Sequence, residues 1–137
     1  MGLSAFLKQN ALPVENEKHV ISERFVDEDG NPIPWEIRAL SEEENQAIRK
    51  SCTKVSGKKG PKVPETDFDA YLTKMTAASV VFPNLKDAEL QKSYGVLGSD
   101  ELLKTMLTAG EYARLIQVTQ DVNGYRDMDE LVEEAKN

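Results

Sequence analysis

From Phe68 to Phe82 large side chains recur every three or four residues: Phe68, Tyr71, Leu72, Met75, Ser79 and Phe82 fall on one broad helical face. A stripe that wide must be covered from more than one side, so this segment is expected to be the central core helix. Thr66 or Asp67 supplies its cap, and Pro83-Asn84 is expected to end it. The chain of 137 residues fits one domain, 1–137, able to bury roughly two thirds of the surface its unfolded form exposes. With 39% hydrophobic residues and clear periodicity, it is too apolar for a disordered protein.

The remaining segments arrange themselves around that helix. Leu3, Phe6 and Leu7 follow helical spacing, with Ser4 as an early cap, so residues 1–12 read as a short helix or arm before Pro13. Residues 17–40 read as a β-hairpin with strands Lys18 to Val26 and Ile33 to Leu40. In the second, Ile33, Trp35, Ile37 and Ala39 share one face while Glu36 and Arg38 point away. Asp27 to Pro32 holds turn formers, with Gly30 free to take positive φ, and Pro32 and Pro34 put the start of the second strand at a sheet edge or just outside the ladder. That free edge is a route to pairing with another copy.

Ser41 with Glu44 is a capping box that opens a helix over 41–52. The stretch 53–65, with two glycines, two prolines and several lysines, reads as a flexible basic loop. Within the helical part, 66–137, further helices are expected over Lys86 to Tyr94, from Ser99, from Thr108 to an Asn123-Gly124 stop, and over Met128 to Ala135. The Val96-Leu97 pair between Gly95 and Gly98 is expected to tuck inward. The fold class that results is α+β, an N-terminal antiparallel β-hairpin packed on a mainly helical C-terminal bundle of four to six helices.

The charge and the rare residues exclude most chemistry. The overall −7 is the sum of +6 in the acid-free stretch 45–64 and −13 elsewhere, so an acidic body carries one basic segment, Arg49 to Lys62. A run of this kind reads first as a solvated face and second as a local phosphate contact. His19 and Cys52 are the sole histidine and cysteine: a Ser-His-Asp or Cys-His arrangement would depend entirely on His19, with Cys52 as the only thiol nucleophile, zinc would lack its usual ligands, and no disulfide framework can form within the chain. Asp27, Asp29 and Asn31 begin like a calcium loop, but Pro32 and Arg38 occupy the positions that need glycine and glutamate. The GKKGPK run at 57–62 lacks the spacing of a phosphate loop, and Glu133 and Glu134 read as solvated charge on the last helix. No catalytic, cofactor or metal residues are expected, and no run of apolar residues has the length of a membrane span or signal peptide, which implies a soluble, intracellular protein. Candidate partner-binding residues are Tyr94 and Tyr112 at helix boundaries, with Leu115, Ile116, Met128 and Leu131 on the last two helices.

The start SAFLKQNALPVEN, the segment ERFVDEDGNPIPWEIRAL, the RKSCTK string and the block FPNLKDAELQKSYGVLGSDELLKTMLTAGEY together resemble the XkdN-like tail assembly chaperones of long-tailed bacteriophages and PBSX-type prophages, from Leu3 to Asn137. The resemblance implies a non-enzymatic chaperone that binds the helix-rich tape measure protein, keeps it soluble in the host cytoplasm, helps recruit tail tube subunits and is absent from the finished virion. It also implies two lengths made by ribosomal frameshifting: codons GCA AAA AAC for Ala135-Lys136-Asn137 would contain the slippery heptamer A AAA AAC, and this chain would be the short form. The alternative is a structural phage component or a nucleic-acid-associated factor using residues 49–62.

Overall fold

The computed structural model describes residues 2–56, 60, 63–125 and 128–136. Helix α2, Phe68–Ser79, lies at its centre, touching the helices α1 (Glu42–Ser51), α4 (Ser99–Met106), α5 (Ala109–Val122) and α6 (Met128–Lys136). Asp67 is the cap, its carboxylate accepting from the Ala70 N–H at 3.1 Å. The helix buries Thr73, Thr76 and Ser79 beside Tyr71, Leu72 and Met75. Each hydroxyl donates to the carbonyl four residues earlier, on Asp69, Leu72 and Met75, which satisfies it in the interior. Small hydroxyl residues thus let neighbouring helices approach α2 closely without leaving its polar atoms bare.

The stripe does not run helically to Phe82. After Ser79 the β-branched pair Val80-Val81, followed by Pro83, favours an extended backbone, and Val80–Phe82 forms strand β5. It pairs antiparallel with β2, Trp35–Ile37, and the Arg38 N–H donates to the Ser79 carbonyl at 2.8 Å. Phe82 is consequently exposed and outside the core. On its other side β2 pairs with β1, Glu17–His19, in the register Glu17↔Ile37 and His19↔Trp35. The order is β1-β2-β5, with β2 central. Its prolines precede the ladder at 32 and 34, where no inter-strand N–H is needed.

The first strand stops at His19, well short of Val26. Residues 20–25 leave the ladder because their polar groups are claimed by α5: Arg114 donates to the Val20 carbonyl at 2.8 Å, and Ser22 and Arg24 bind Glu111. Ile21 is buried there. The expected turn survives beyond it, with Gly30 at φ 82° and the Asp27 carboxylate accepting from the N–H groups of Asp29 and Asn31, both at 2.9 Å.

Two further expectations are revised. Within 53–65, Thr53–Ser56 (β3) and Val63–Thr66 (β4) pair antiparallel, joined at the base by Thr53 and Thr66 hydroxyls 2.9 Å apart. Threonine and valine at these positions suit a ladder better than the glycine and lysine content of the whole stretch suggests; of the intervening 57–62, all but Gly60 lies outside the described residues. Val96 packs inward, but Leu97 is 92% exposed. Adjacent residues of an extended segment point oppositely, and the Gln91 side chain fixes the turn by accepting from the Gly98 N–H at 2.9 Å. At the other end Leu3–Phe6 is a single 3-10 turn in which Ser4 makes no cap, and residues 2–18 are exposed.

Two cores result. One gathers Ile21, Trp35, Ile37, Leu85, Leu102, Leu103, Met106, Leu107 and Leu115 between the sheet and α4–α5; the other gathers Cys52, Tyr71, Leu72, Met75, Leu131 and Ala135 between α1, α2 and α6. The short helix α3, Ala88–Ser93, is capped by Asp87 and lays Leu90 against the first core. The architecture is the expected α+β class. Replacing Ile37 by Ala should destabilise the protein by about 2–5 kcal/mol in urea titrations, whereas Leu97→Ser should change it by less than about 0.5 kcal/mol; comparable losses at both positions would contradict the outward placement of Leu97.

Candidate interaction surfaces

Four side-chain clusters set the relative positions of the elements. Glu111 is the N3 residue of the capping box on α5, where its Oε1 accepts from the Thr108 N–H at 2.9 Å. The same carboxylate takes two bonds from Arg24, at 3.0 Å from Nε and 2.6 Å from Nη2, and a third from the Ser22 hydroxyl. Arg24, then Ser22 and the Thr108 backbone, hold its carboxyl well below the usual range. Glu44 repeats the device on α1: it accepts from Ser41 N–H at 3.0 Å and from both terminal nitrogens of Arg38, at 3.0 and 2.6 Å. Its pKa is lowered from 4.5 to about 2, chiefly by Arg38.

Asn123, read in the sequence only as part of a helix stop, joins three elements. Its Oδ1 accepts from the Leu40 N–H at 2.7 Å, and its Nδ2 donates to Ser79 Oγ at 3.1 Å and the Thr119 carbonyl at 2.9 Å. The neighbouring Gly124, at φ 87°, takes the left-handed turn. The fourth cluster lies inside the second core's rim. Tyr71 donates its hydroxyl to Asn45, Asn45 donates to Glu134 at 3.1 Å, and Arg49 is ion-paired with Glu134. Burial pushes the Tyr71 phenol up. Glu134 is therefore not the solvated charge expected from sequence, and Arg49, 14% exposed at its side chain, is not offered to phosphates. Lys58, Lys59 and Lys62 lie outside the described residues.

None of these clusters has the arrangement of a catalytic site. Among the described residues no group of three His, Cys, Asp or Glu side chains could hold a metal ion. His19 sits 3.0 Å from Glu17 on β1, and Cys52 is buried in the second core. No described helix is long and apolar enough to cross a membrane.

The expected contact residues divide. Leu115 and Leu131 are wholly buried, one in each core, so in this fold they join helices rather than meet a partner. Their position in the middle of each amphipathic face made them core in the first place. Tyr94 and Tyr112 are half-buried against the first core, with the Tyr112 hydroxyl 2.8 Å from Thr73 Oγ1, and Ile116 is half-buried against the second. Met128 opens α6, its side chain outside the described residues.

A surface that sequence reasoning missed is an open groove of about 1040 Å³ beside β5. Ala47, Ile48, Ala77, Ala78, Val80, Val81 and Leu97 line it together with the charged Arg38, Glu44, Lys86 and Glu101 and the pair Lys74–Asp100, 3.1 Å apart. Val80-Val81 before Pro83 was the available signal, since it marks where α2 must give way to a strand.

Helices and a small sheet closed by polar clamps, with apolar surface left in a groove and on an arm, describe a protein built for contact with other proteins. The chain belongs to the phage XkdN-like tail assembly chaperone proteins, whose family profile matches residues 3–136. Among relatives, the protein YqbN of Bacillus subtilis (strain 168) is 32% identical over 138 residues, covering 98% of this chain and 93% of that protein. The phage-like element PBSX protein XkdN of the same strain is 30% identical with the same coverage. The crystal structure of YqbN superposes with a TM-score of 0.80 at 26% identity, covering 91% of this chain and 98% of that one. Membership in this family implies a phage tail protein as partner.

The depressed carboxyls predict an acid response. A group whose folded pKa lies below its unfolded value stabilises the fold above the unfolded pKa and loses that contribution as pH falls through the folded one. Urea midpoints should therefore fall between about pH 4.5 and about pH 2, the window set by Glu44, with Glu111 extending it downward. Glu44→Gln and Glu111→Gln should each lower the midpoint at neutral pH and flatten that acid slope; an unchanged slope in both would refute the clamps.

Proposed function

We propose that this protein binds the tape measure protein of a phage tail in the host cytoplasm and keeps it soluble while the tail assembles. The full-length match to tail assembly chaperones is the observation that carries this reading. A tape measure protein is long and helix-rich, so its apolar stripes need cover before the tube encloses them. An acidic protein with net charge −7 can supply apolar contact while its own repulsion opposes aggregation. Tyr94, Tyr112 and Ile116, half-buried at helix boundaries and faces, are the contact residues in this proposal. Tail tube subunits are a second partner, and the chaperone leaves before the virion is complete. A frameshifted long form belongs to the same reading; codons other than GCA AAA AAC for Ala135-Lys136-Asn137 would remove it.

Co-expression with the adjacent tape measure gene tests the proposal. Tape measure protein should move from the pellet to the soluble fraction and be retained with the tagged chaperone. The Tyr94→Ala/Ile116→Ser variant should retain it at least ~10-fold less well, equivalent to about 1.4 kcal/mol of binding, while keeping its circular dichroism. No change in tape measure solubility, or salt-sensitive DNA binding in its place, would reject it.

A further inference from the structure

We propose that the N-terminal arm of one copy seats in the groove beside β5 of a second copy, forming a reciprocal dimer. The arm exposes Leu3 (78%), Phe6 (81%), Leu12 (92%) and Val14 (77%), a set of side chains left largely uncovered among the described residues. It is nevertheless organised. The Asn10 side chain donates to the Ser4 carbonyl at 2.7 Å, and the Asn10 and Ala11 N–H groups return to the Leu7 carbonyl, both at 2.9 Å. The base is fastened to the sheet, with Asn16 donating to Glu36 at 2.9 Å. Leu3, Phe6 and Leu7 have the spacing of a helical stripe, but a segment this short is marginal as a free helix and needs a surface to hold it.

The groove is an open, mainly apolar surface of the same chain, although Arg38, Glu44, Lys74, Lys86, Asp100 and Glu101 also line it. Its 1040 Å³ is at the upper end of the roughly 300–1,000 Å³ of clefts that enclose small ligands, which leaves room for several side chains. Alanines at 47, 77 and 78 let a backbone come close, while Val81 and Leu97 stand at the border, 40% and 92% exposed. Arm and groove on one chain are complementary under a two-fold axis, so each interaction is made twice. Five aliphatic or aromatic side chains at roughly 60–120 Å² each give about 300–600 Å² per arm. Doubled by symmetry, and with the surface they cover counted as well, this reaches the roughly 1,200–2,000 Å² of a specific interface. Residues 12–16, which follow the arm's hydrogen-bonded turns, can span about 16 Å and so carry the organised part of the arm toward a neighbour.

Purified full-length chain, without client, provides the test. Sedimentation should show a dimer, and Leu3→Ser/Phe6→Ser should raise its dissociation constant at least ~10-fold with unchanged circular dichroism. Val81→Glu should weaken the dimer from the groove side. Chains carrying Phe6→Cys, mixed with chains carrying Leu97→Cys and oxidised, should give a covalent heterodimer, since the native Cys52 is buried. A monomer persisting at about 100 μM overturns the proposal, as does a dimer indifferent to the arm substitutions. So does closure of the Phe6→Cys/Leu97→Cys double variant within one chain, which would assign the groove to its own arm. Because no tape measure protein is present, failure here leaves the client-binding reading untouched.

Discussion

The carboxylate of Glu111 is the constraint on which the N-terminal half of the fold depends. Three strands of three residues each have little stability of their own. They persist because Trp35 and Ile37 are pressed against α4 and α5, and that placement is fixed by polar contacts at both ends of α5. At its start Glu111 grips Ser22 and Arg24; at its end Asn123 takes the Leu40 N–H. The apolar burial supplies the driving force, while the clamps decide which face meets which. Glu111 does this with the same carboxylate whose Oε1 completes the cap of its own helix, so one group serves both the cap and the docking of the sheet.

On the other side of α2 the solution differs. The second core has a polar rim, where Tyr71, Asn45, Glu134 and Arg49 form a chain between α1, α2 and α6. The Tyr71 hydroxyl and the Asn45 amide each meet an acceptor there, which is what permits an asparagine to sit buried. α6 is held by Leu131 and Ala135 and by this network.

The helices could be read from the chain because their information is local. Ser41 with Glu44, Asp67, Asp87 and Thr108 with Glu111 sit where the caps form, and the apolar spacing of α2 and α5 names their buried faces. Strands three or four residues long carry no comparable signal: β5 looked like the tail of a helix, and β3–β4 like a loop, because pairing partners are set by tertiary position. The same limit explains Arg49 and Glu134, which are 85 residues apart and appear solvated until α6 folds back. It also explains Leu97, an apolar residue whose direction depends on which of two neighbours the turn points inward. Of the six expected contact residues, the two leucines at the centre of their faces were core by the very periodicity that singled them out.

The span between Arg24 and Glu111 has a temporal meaning. Those 87 residues take about 4–17 s to synthesise at about 5–20 residues per second. Within that interval Trp35 and Ile37 are made before α4 and α5, the helices that cover them. The sheet's apolar face thus waits on the last third of the sequence to cover it.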